Sequence, residues 1–278
     1  MKNSPEQSES VSPVCTEVEE LGRLLGVIAH EIKNPLSTIK VNLRLIDEEL
    51  SASPKAGETS PKGGQTSSDQ HVARARRKLA VIDKETTRLE QILDSFLHYA
   101  DRSMPRLAPL DINTIVGDMI DFFTPQAIAH SITMRQCLHK EPLICQADAG
   151  MLKQAILNLL INAQQALNRA GSWQVLNRTG SGQAIGPSGE LMVRTARGLG
   201  SPGLAQIQIS DTGKGIPADR LAHIFEPYQS SRPNGTGLGL ATVKKIIDAH
   251  KGSISVASEP GKGTAFTISL PLASQEDK

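Results

Sequence analysis

Between Leu21 and Leu50 apolar residues recur at alternating spacings of three and four, through Leu21, Leu25, Ile28, Ile32, Leu36, Ile39, Leu43, Ile46 and Leu50. This period, near 3.5 residues, predicts a long helix with a single apolar seam. The one irregular step, four and four from Ile28 through Ile32 to Leu36, reads as a stutter. It coincides with Pro35, which removes a backbone donor and crowds the carbonyl of Glu31, so a bend is expected there. A second segment repeats the pattern through Val72, Leu79, Ile82, Leu89, Leu93, Phe96 and Ala100. Together they predict a helical hairpin over 18–101. Two amphipathic helices seldom cover both seams alone, so the expected unit is a homodimer whose two hairpins form a four-helix bundle.

The rest of the chain has a different texture. Residues 51–71, rich in Ser, Gly, Pro and Lys, read as a flexible insertion between the helices, and polar residues 1–17 as a disordered tail. A proline-marked linker over 102–110 leads into alternating helix-like and strand-like runs that fill 111–273, before a short tail at 274–278. Helices are expected at 111–130, 148–169, 218–224 and 237–250. Strands are expected at Glu190–Arg197, Ala205–Ser210, Ser253–Ser258 and Thr264–Leu270. The predicted class is therefore α+β, a helical hairpin followed by an α/β sandwich with helices on one face of a sheet. A Gly/Ser-rich stretch at about 171–189 reads as an exposed insertion.

Composition removes several classes of function. Thirty Lys+Arg against 29 Asp+Glu leave a net charge of +1, and only 3% of residues are aromatic, so neither an electrostatic field nor stacking platforms point to nucleic acid. Cys15, Cys137 and Cys145 are widely spaced and form no C-x-x-C pair, which reads as reduced thiols in a cytoplasmic protein. No run of about 18 apolar residues occurs, so no membrane span is expected.

Four segments carry chemistry. The first is His30-Glu31-Ile32-Lys33-Asn34-Pro35 in the first helix. With Leu25 and Ile28 on the seam, His30 points outward, where a neutral imidazole is an available nucleophile and Glu31 a candidate base. Asn34 lies one turn on and could position a water; because position i+4 is Asn rather than His, the H-E-x-x-H zinc pattern fails. A lone helical histidine is most often a solvated surface residue, and only its context argues otherwise. The second segment runs from Leu152 to Ala163, where Asn158 and Asn162 share one face of an apolar helix and offer amide oxygens to Mg2+ beside phosphates. The third, Asp211-Thr212-Gly213-Lys214-Gly215-Ile216-Pro217, places an acceptor for an adenine amino group at a strand end, with Gly213 and Gly215 allowing close backbone approach. The fourth, Asn234-Gly235-Thr236-Gly237-Leu238-Gly239-Leu240-Ala241, frees backbone N–H groups at a helix start to surround phosphates. Upstream of it, Ile224-Phe225-Glu226-Pro227-Tyr228 supplies apolar anchors for a lid, and Arg232 could reach a phosphate. No P-loop occurs, and no Rossmann strand precedes the glycines.

In this order, over roughly 18–272, these segments resemble the sensor histidine kinases of two-component systems. The phosphoacceptor box is HEIKNPL, the asparagine box NLLINA, the glycine boxes DTGKGIP and GTGLGLA, and the phenylalanine box IFEPY. The resemblance implies a dimerisation and phosphotransfer domain followed by an ATP-binding domain of the gyrase/Hsp90 type, with ATP and Mg2+ as ligands. It implies autophosphorylation of His30, with Glu31 as base, and transfer to an aspartate in the receiver domain of a response regulator. Asn34 would assist dephosphorylation of that regulator. It also implies Asn162 as Mg2+ ligand with Asn158 as its companion, Asp211 at the adenine, and Gly213, Gly215, Gly235, Gly237 and Gly239 lining the pocket and lid, with Phe225, Arg232, Thr236 and Leu238 beside them. The insertion at 51–71 governs how the helices cross, so phosphorylation within one chain and between dimer partners are both open. Gln229-Ser230-Ser231 departs from the aromatic-then-threonine lid of similar kinases. No sensory domain fits into residues 1–17, so input is expected from a separate sensory protein, or the chain is a shortened one. The rival readings are an ATP-binding module of the gyrase/Hsp90 type, or a degenerate kinase scaffold, without histidine chemistry. The box around His30 disfavours the first, and the intact asparagine and glycine boxes the second.

Overall fold

The computed structural model describes residues 13–51, 64–100, 104–176, 189–199, 203–229 and 237–273. It divides into two compact units, Met1–His98 and Tyr99–Lys278. The expected C-terminal tail, residues 1–12 of the N-terminal one, and most of the two expected insertions lie outside the described residues.

Two helices, α1 (Pro13–Ser51) and α2 (Gly64–Ala100), make up the first unit. Both reach further than expected: α1 begins inside the predicted tail and α2 inside the predicted connector. Helix α1 runs unbroken through Pro35, which is itself buried. The inward stripe of α1 is Ile28, Ile32, Pro35, Ile39, Asn42 and Ile46, all buried or half-buried. These residues alternate by four and three without interruption, so the stutter is absent: Pro35 and Asn42 occupy the places assigned to Leu36 and Leu43. The inward stripe of α2, Ala75, Lys78, Ile82, Glu85, Leu89, Ile92 and Phe96, keeps the same period and admits two charged residues. The Lys78 stem can pack along the stripe, and Glu85 buries its Oε2 3.7 Å from the Arg88 guanidinium, which an apolar pattern does not reveal. Lys78 Nζ also donates to Leu45 O across the hairpin at 3.2 Å. The displaced apolar residues Leu36, Leu43, Val72, Leu79 and Leu93 form a second stripe, each about half exposed.

In the second unit, the strands β1 (Ala108–Asp111), β2 (Ile132–Cys137), β3 (Ile144–Ala147), β4 (Gly189–Gly198), β5 (Leu204–Asp211), β6 (Ser253–Glu259) and β7 (Gly263–Pro271) alternate with helices. Those helices are α3 (Ile112–Ala129), α4 (Ala149–Leu176), α5 (Ala218–Leu221) and α6 (Gly239–Ala249). Strand β1 occupies the end of the expected linker and pairs antiparallel with β3; these two and β2 were not anticipated. Helix α4 continues six residues into the expected insertion. The main sheet has the order β2-β4-β5-β7-β6, with β2 parallel to β4 and the other pairs antiparallel.

Strand side chains alternate between faces, so the register defines rows across the sheet. Two inward rows are apolar wherever the strands are central: Val193, Ile209, Phe266 and Val256, then Ile207, Ile268 and Ile254 beside Thr195. Against them lies the apolar face of α4, with Leu152, Ala155, Ile156, Leu159, Leu160 and Ala163 buried, flanked by α3 and α6. The last inward row changes character: Leu191, Asp211, Thr264 and Ser258. The sheet thus ends, on its helix side, in polar groups.

Leu160 is fully buried on α4, so Leu160→Ala is expected to cost about 2–5 kcal/mol of stability. Urea unfolding of the chain checks this, and a loss below about 1 kcal/mol would mean that α4 does not seal the core.

Candidate functional site

His30 is exposed on α1, on the side opposite the stripe that runs from Ile28 to Ile46. Asn34, one turn on, is exposed too, whereas Glu31 is half-buried toward the seam. Adjacent helical residues do not face one another, so Glu31 flanks the imidazole rather than stacking on it. Beyond Asn34 the turn that loses a donor at Pro35 is reinforced by side chains. Ser37 Oγ donates to Lys33 O at 2.8 Å and Thr38 Oγ1 to Asn34 O at 3.3 Å.

The other expected residues lie in the second unit, where α4 and α6 meet. Asp148 accepts the Met151 N–H at 3.1 Å and so caps the start of α4. Asn158 and Asn162 sit half-buried at the edge of the apolar face of α4. Asn158 Nδ2 donates to the carbonyl of Gly239, the first residue of α6, at 3.5 Å, which turns its amide oxygen away from that carbonyl. A side chain at Gly239 would meet Asn162 Nδ2 at 4.0 Å, so both asparagines border the α6 N-terminus. Buried Leu238 begins the turn, and its carbonyl accepts the N–H and the hydroxyl of Thr242. The donor set suits a hard cation: neutral amide oxygens can join waters and phosphates around Mg2+, the phosphates supplying the charge.

Asp211 ends β5 with a buried side chain whose carboxylate accepts the backbone N–H groups of Gly213, at 2.8 Å, and Thr264. Burial pushes its pKa up from 3.8 to about 6, and the two backbone donors hold it from rising further. Around it the chain is packed so closely that side chains are excluded. A Cβ on Gly213 would lie 2.6 Å from Asp211 Oδ1 and 2.9 Å from Ala166 of α4. Gly215, with φ +69°, would place one 2.2 Å from Glu259 O. Ser258 Oγ accepts the Ile216 N–H at 2.8 Å, donates to Gly263 O at 2.9 Å and lies 2.9 Å from Thr264 Oγ1. Ser258 and Thr264 were not singled out from sequence. Ordinary polar residues of strands, they join Asp211 only through the register of β5, β7 and β6.

Phe225 is half-buried and packs edge-to-face on Phe266, centroids 6.3 Å apart, which anchors residues 224–228 against the sheet. That segment closes on itself: Tyr228 donates its N–H to Gly237 O at 3.1 Å, and both residues have positive φ, 65° and 67°. Arg232, Gly235 and Thr236 lie outside the described residues.

Residues 20–104 match the model of the His Kinase A (phospho-acceptor) domain, and residues 147–274 that of the histidine kinase-, DNA gyrase B- and HSP90-like ATPase. Sensor histidine kinase ZraS of Escherichia coli (strain K12) is 33% identical over 91% of this chain and 46% of its own length. Sensory histidine kinase/phosphatase NtrB of Rhodobacter capsulatus is 35% identical over 90% of this chain and 62% of its own length. The chain spans about half the length of the first curated relatives it matches. Among solved structures, histidine kinase ThkA in complex with the response regulator protein TrrA aligns with a TM-score of 0.64 at 20% identity, over 95% of this chain and 65% of that one. ShkA in complex with AMPPNP aligns with a TM-score of 0.56 at 22% identity, over 91% and 46%. These two show the fold. Among the described residues no helix is long and apolar enough to cross a membrane.

The raised pKa of Asp211 has a sign that can be measured. The folded chain holds this proton up to about pH 6, the unfolded chain only to 3.8, so stability falls as pH rises through that window and the deficit is complete above it. Asp211→Asn removes the deficit. The stability difference between variant and parent should shift in the variant's favour by about 2.4 kcal/mol between pH 4 and pH 7.5. Denaturant unfolding at both pH values checks this, and a difference independent of pH refutes it.

Proposed function

The chain belongs to the sensor histidine kinases of two-component systems, and on that premise we propose that it uses ATP to phosphorylate His30 and passes the phosphoryl group to an aspartate of a response regulator receiver domain. The observation that carries the nucleotide half is the polar end row of the sheet, where Asp211 offers a buried acceptor beside Gly213 and Gly215. A base amino group donates to that carboxylate, while the glycine turn lets the base approach the backbone. Gly237, Leu238 and Gly239 lead into α6, whose first N–H groups and dipole favour phosphate. Gly235, Thr236 and Arg232 belong to the same phosphate-binding segment by motif. Asn162, with Asn158 beside it, holds Mg2+, which when bound offsets phosphate charge.

At His30 a lone pair of a neutral ring nitrogen forms the N–P bond as the bond from the γ-phosphorus to its bridging oxygen breaks. ADP leaves with that electron pair, and Glu31 takes the remaining ring proton. In the next step the N–P bond breaks as an aspartate oxygen of the receiver attacks phosphorus. Asn34 positions the water that later hydrolyses the acyl phosphate on the regulator. The exposure of His30 and Asn34 supports both roles, since two macromolecular partners must reach this face. Incubation with γ-labelled ATP is expected to give an acid-labile, base-stable label that is lost in His30→Ala. Normal label in that variant would remove His30 from the reaction.

Dimerisation is part of the same proposal. The stripe of Leu36, Leu43, Val72, Leu79 and Leu93 has the seven-residue recurrence of a bundle seam and lies uncovered in one chain. Leu43→Glu with Leu79→Glu should convert a dimer to monomers in sedimentation while leaving helical circular dichroism unchanged. A dimer that persists would place the interface elsewhere.

A further inference from the structure

We propose that Ser258 is a specificity-determining positioning residue at the base end of the nucleotide pocket: its single hydroxyl proton is committed to Gly263 O, so Thr264 must donate to Ser258 and can offer the base only lone pairs. This rests on the nucleotide-binding reading above and deepens it.

The argument is a count of protons. A serine hydroxyl has one donor and two acceptor sites. Ser258 Oγ has three partners: the Ile216 N–H at 2.8 Å, the Gly263 carbonyl at 2.9 Å and Thr264 Oγ1 at 2.9 Å. The Ile216 N–H can only donate and the Gly263 carbonyl can only accept. If Ser258 gave its proton to Thr264, two bare oxygens would be left facing each other at the Gly263 carbonyl. One assignment satisfies all three contacts: Ser258 donates to Gly263 O, and Thr264 Oγ1 donates to Ser258 Oγ. Thr264 is buried, so a mispaired hydroxyl there would carry the full cost of an unsatisfied group.

The consequence reaches the ligand through the register. Ser258 pairs with Thr264, and Thr264 with Asp211, all three on the inward row. Asp211 presents an ionised carboxylate and Thr264 a hydroxyl whose proton points away, toward Ser258. The row therefore presents acceptors and no side-chain donor. Adenine presents the donor of its amino group at position 6 to such a surface; hypoxanthine presents an oxygen at that position, an acceptor that neither Asp211 nor Thr264 can meet, and donates only through N1–H beside it. A site with fixed hydrogen-bond polarity rejects the mismatched analogue because its buried groups are left unpaired.

The test compares ADP with IDP, measuring the dissociation constant of each by calorimetry on the full chain with Mg2+. The parent is expected to favour ADP strongly. Ser258→Ala frees the Thr264 proton to rotate toward the oxygen of IDP and should narrow the ADP:IDP ratio about tenfold, the factor expected for one hydrogen bond. Thr264→Val should narrow it as well, and adding Ser258→Ala to Thr264→Val should change it no further. Ser258→Thr keeps the hydroxyl and should keep the ratio. A purely structural role for Ser258 would weaken ADP and IDP alike. A ratio within about twofold of the parent's in Ser258→Ala, or a further narrowing in the double variant, overturns the assignment. If Ser258→Ala melts below the assay temperature, Ser258→Thr and Thr264→Val decide: a ratio lost in the first or retained in the second refutes it. A parent chain that binds no ADP would overturn the nucleotide-binding reading itself, an outcome distinct from ADP binding with an unchanged ratio.

Discussion

A carboxylate buried at the end of a sheet is an expensive group, and much of the second unit is arranged around the one at Asp211. Removing it from water raises its pKa to about 6, so near neutral pH the fold carries an ionised side chain that is less favourable there than in the unfolded chain. Two backbone N–H groups offset part of that cost, and they come from opposite directions: Gly213 in the turn that follows, and Thr264 on the neighbouring strand. The close packing follows from this. Gly263 brings β7 so near that a Cβ there would overlap Asp211 O, and Gly213 lets α4 settle on the turn at Ala166. The remaining acceptor capacity of the carboxylate is what a ligand can use. Stability and recognition therefore draw on one group in opposite senses.

The helical unit faces a different constraint, set by having two apolar stripes on each helix. One stripe is used within the hairpin, and it tolerates Pro35, Asn42, Lys78 and Glu85 among its members. The other is the more uniformly apolar and lies uncovered. This division leaves a third face of α1 free of packing duties, and His30 and Asn34 occupy it. The face that carries His30 and Asn34 is thus spared from both stripes and stays open to partners, as the proposed phosphotransfer requires.

The parts of this architecture that could be read from the chain are those in which local chemistry is contiguous. The segments around His30, Asn158, Asp211 and Gly237 each place their reactive or permissive residues within a few positions, and helices such as α4 announce themselves by apolar spacing over many turns. What escaped notice depends on partners distant in the chain. Two places of the α1 seam differ by one residue while Ile28, Ile32, Ile39 and Ile46 keep theirs, because Leu36 and Leu43 are the more apolar choice while Pro35 and Asn42 are the residues that pack. Strands β1 and β2 carry Pro109, Arg135 and Gln136 and show no clean alternation, so their assignment rests on pairing with β3 and β4. Ser258 and Thr264 acquire meaning only when β6 and β7 are laid beside β5.

The hydrogen bond from Tyr228 to Gly237 has a mechanical corollary. It draws the two ends of the glycine-box segment together at a neck, with both residues in left-handed conformations and the Tyr228 backbone leaving no room for a Cβ at Gly237. Downstream of that neck, α6 is seated by its own buried residues, Ala241, Val243, Ile246 and Ile247. The start of α6 is thus fixed from both sides, upstream by a backbone contact that only a glycine at position 237 permits and downstream by the packing of α6 itself, so the N–H groups of its first turn keep their direction when exposed neighbours change.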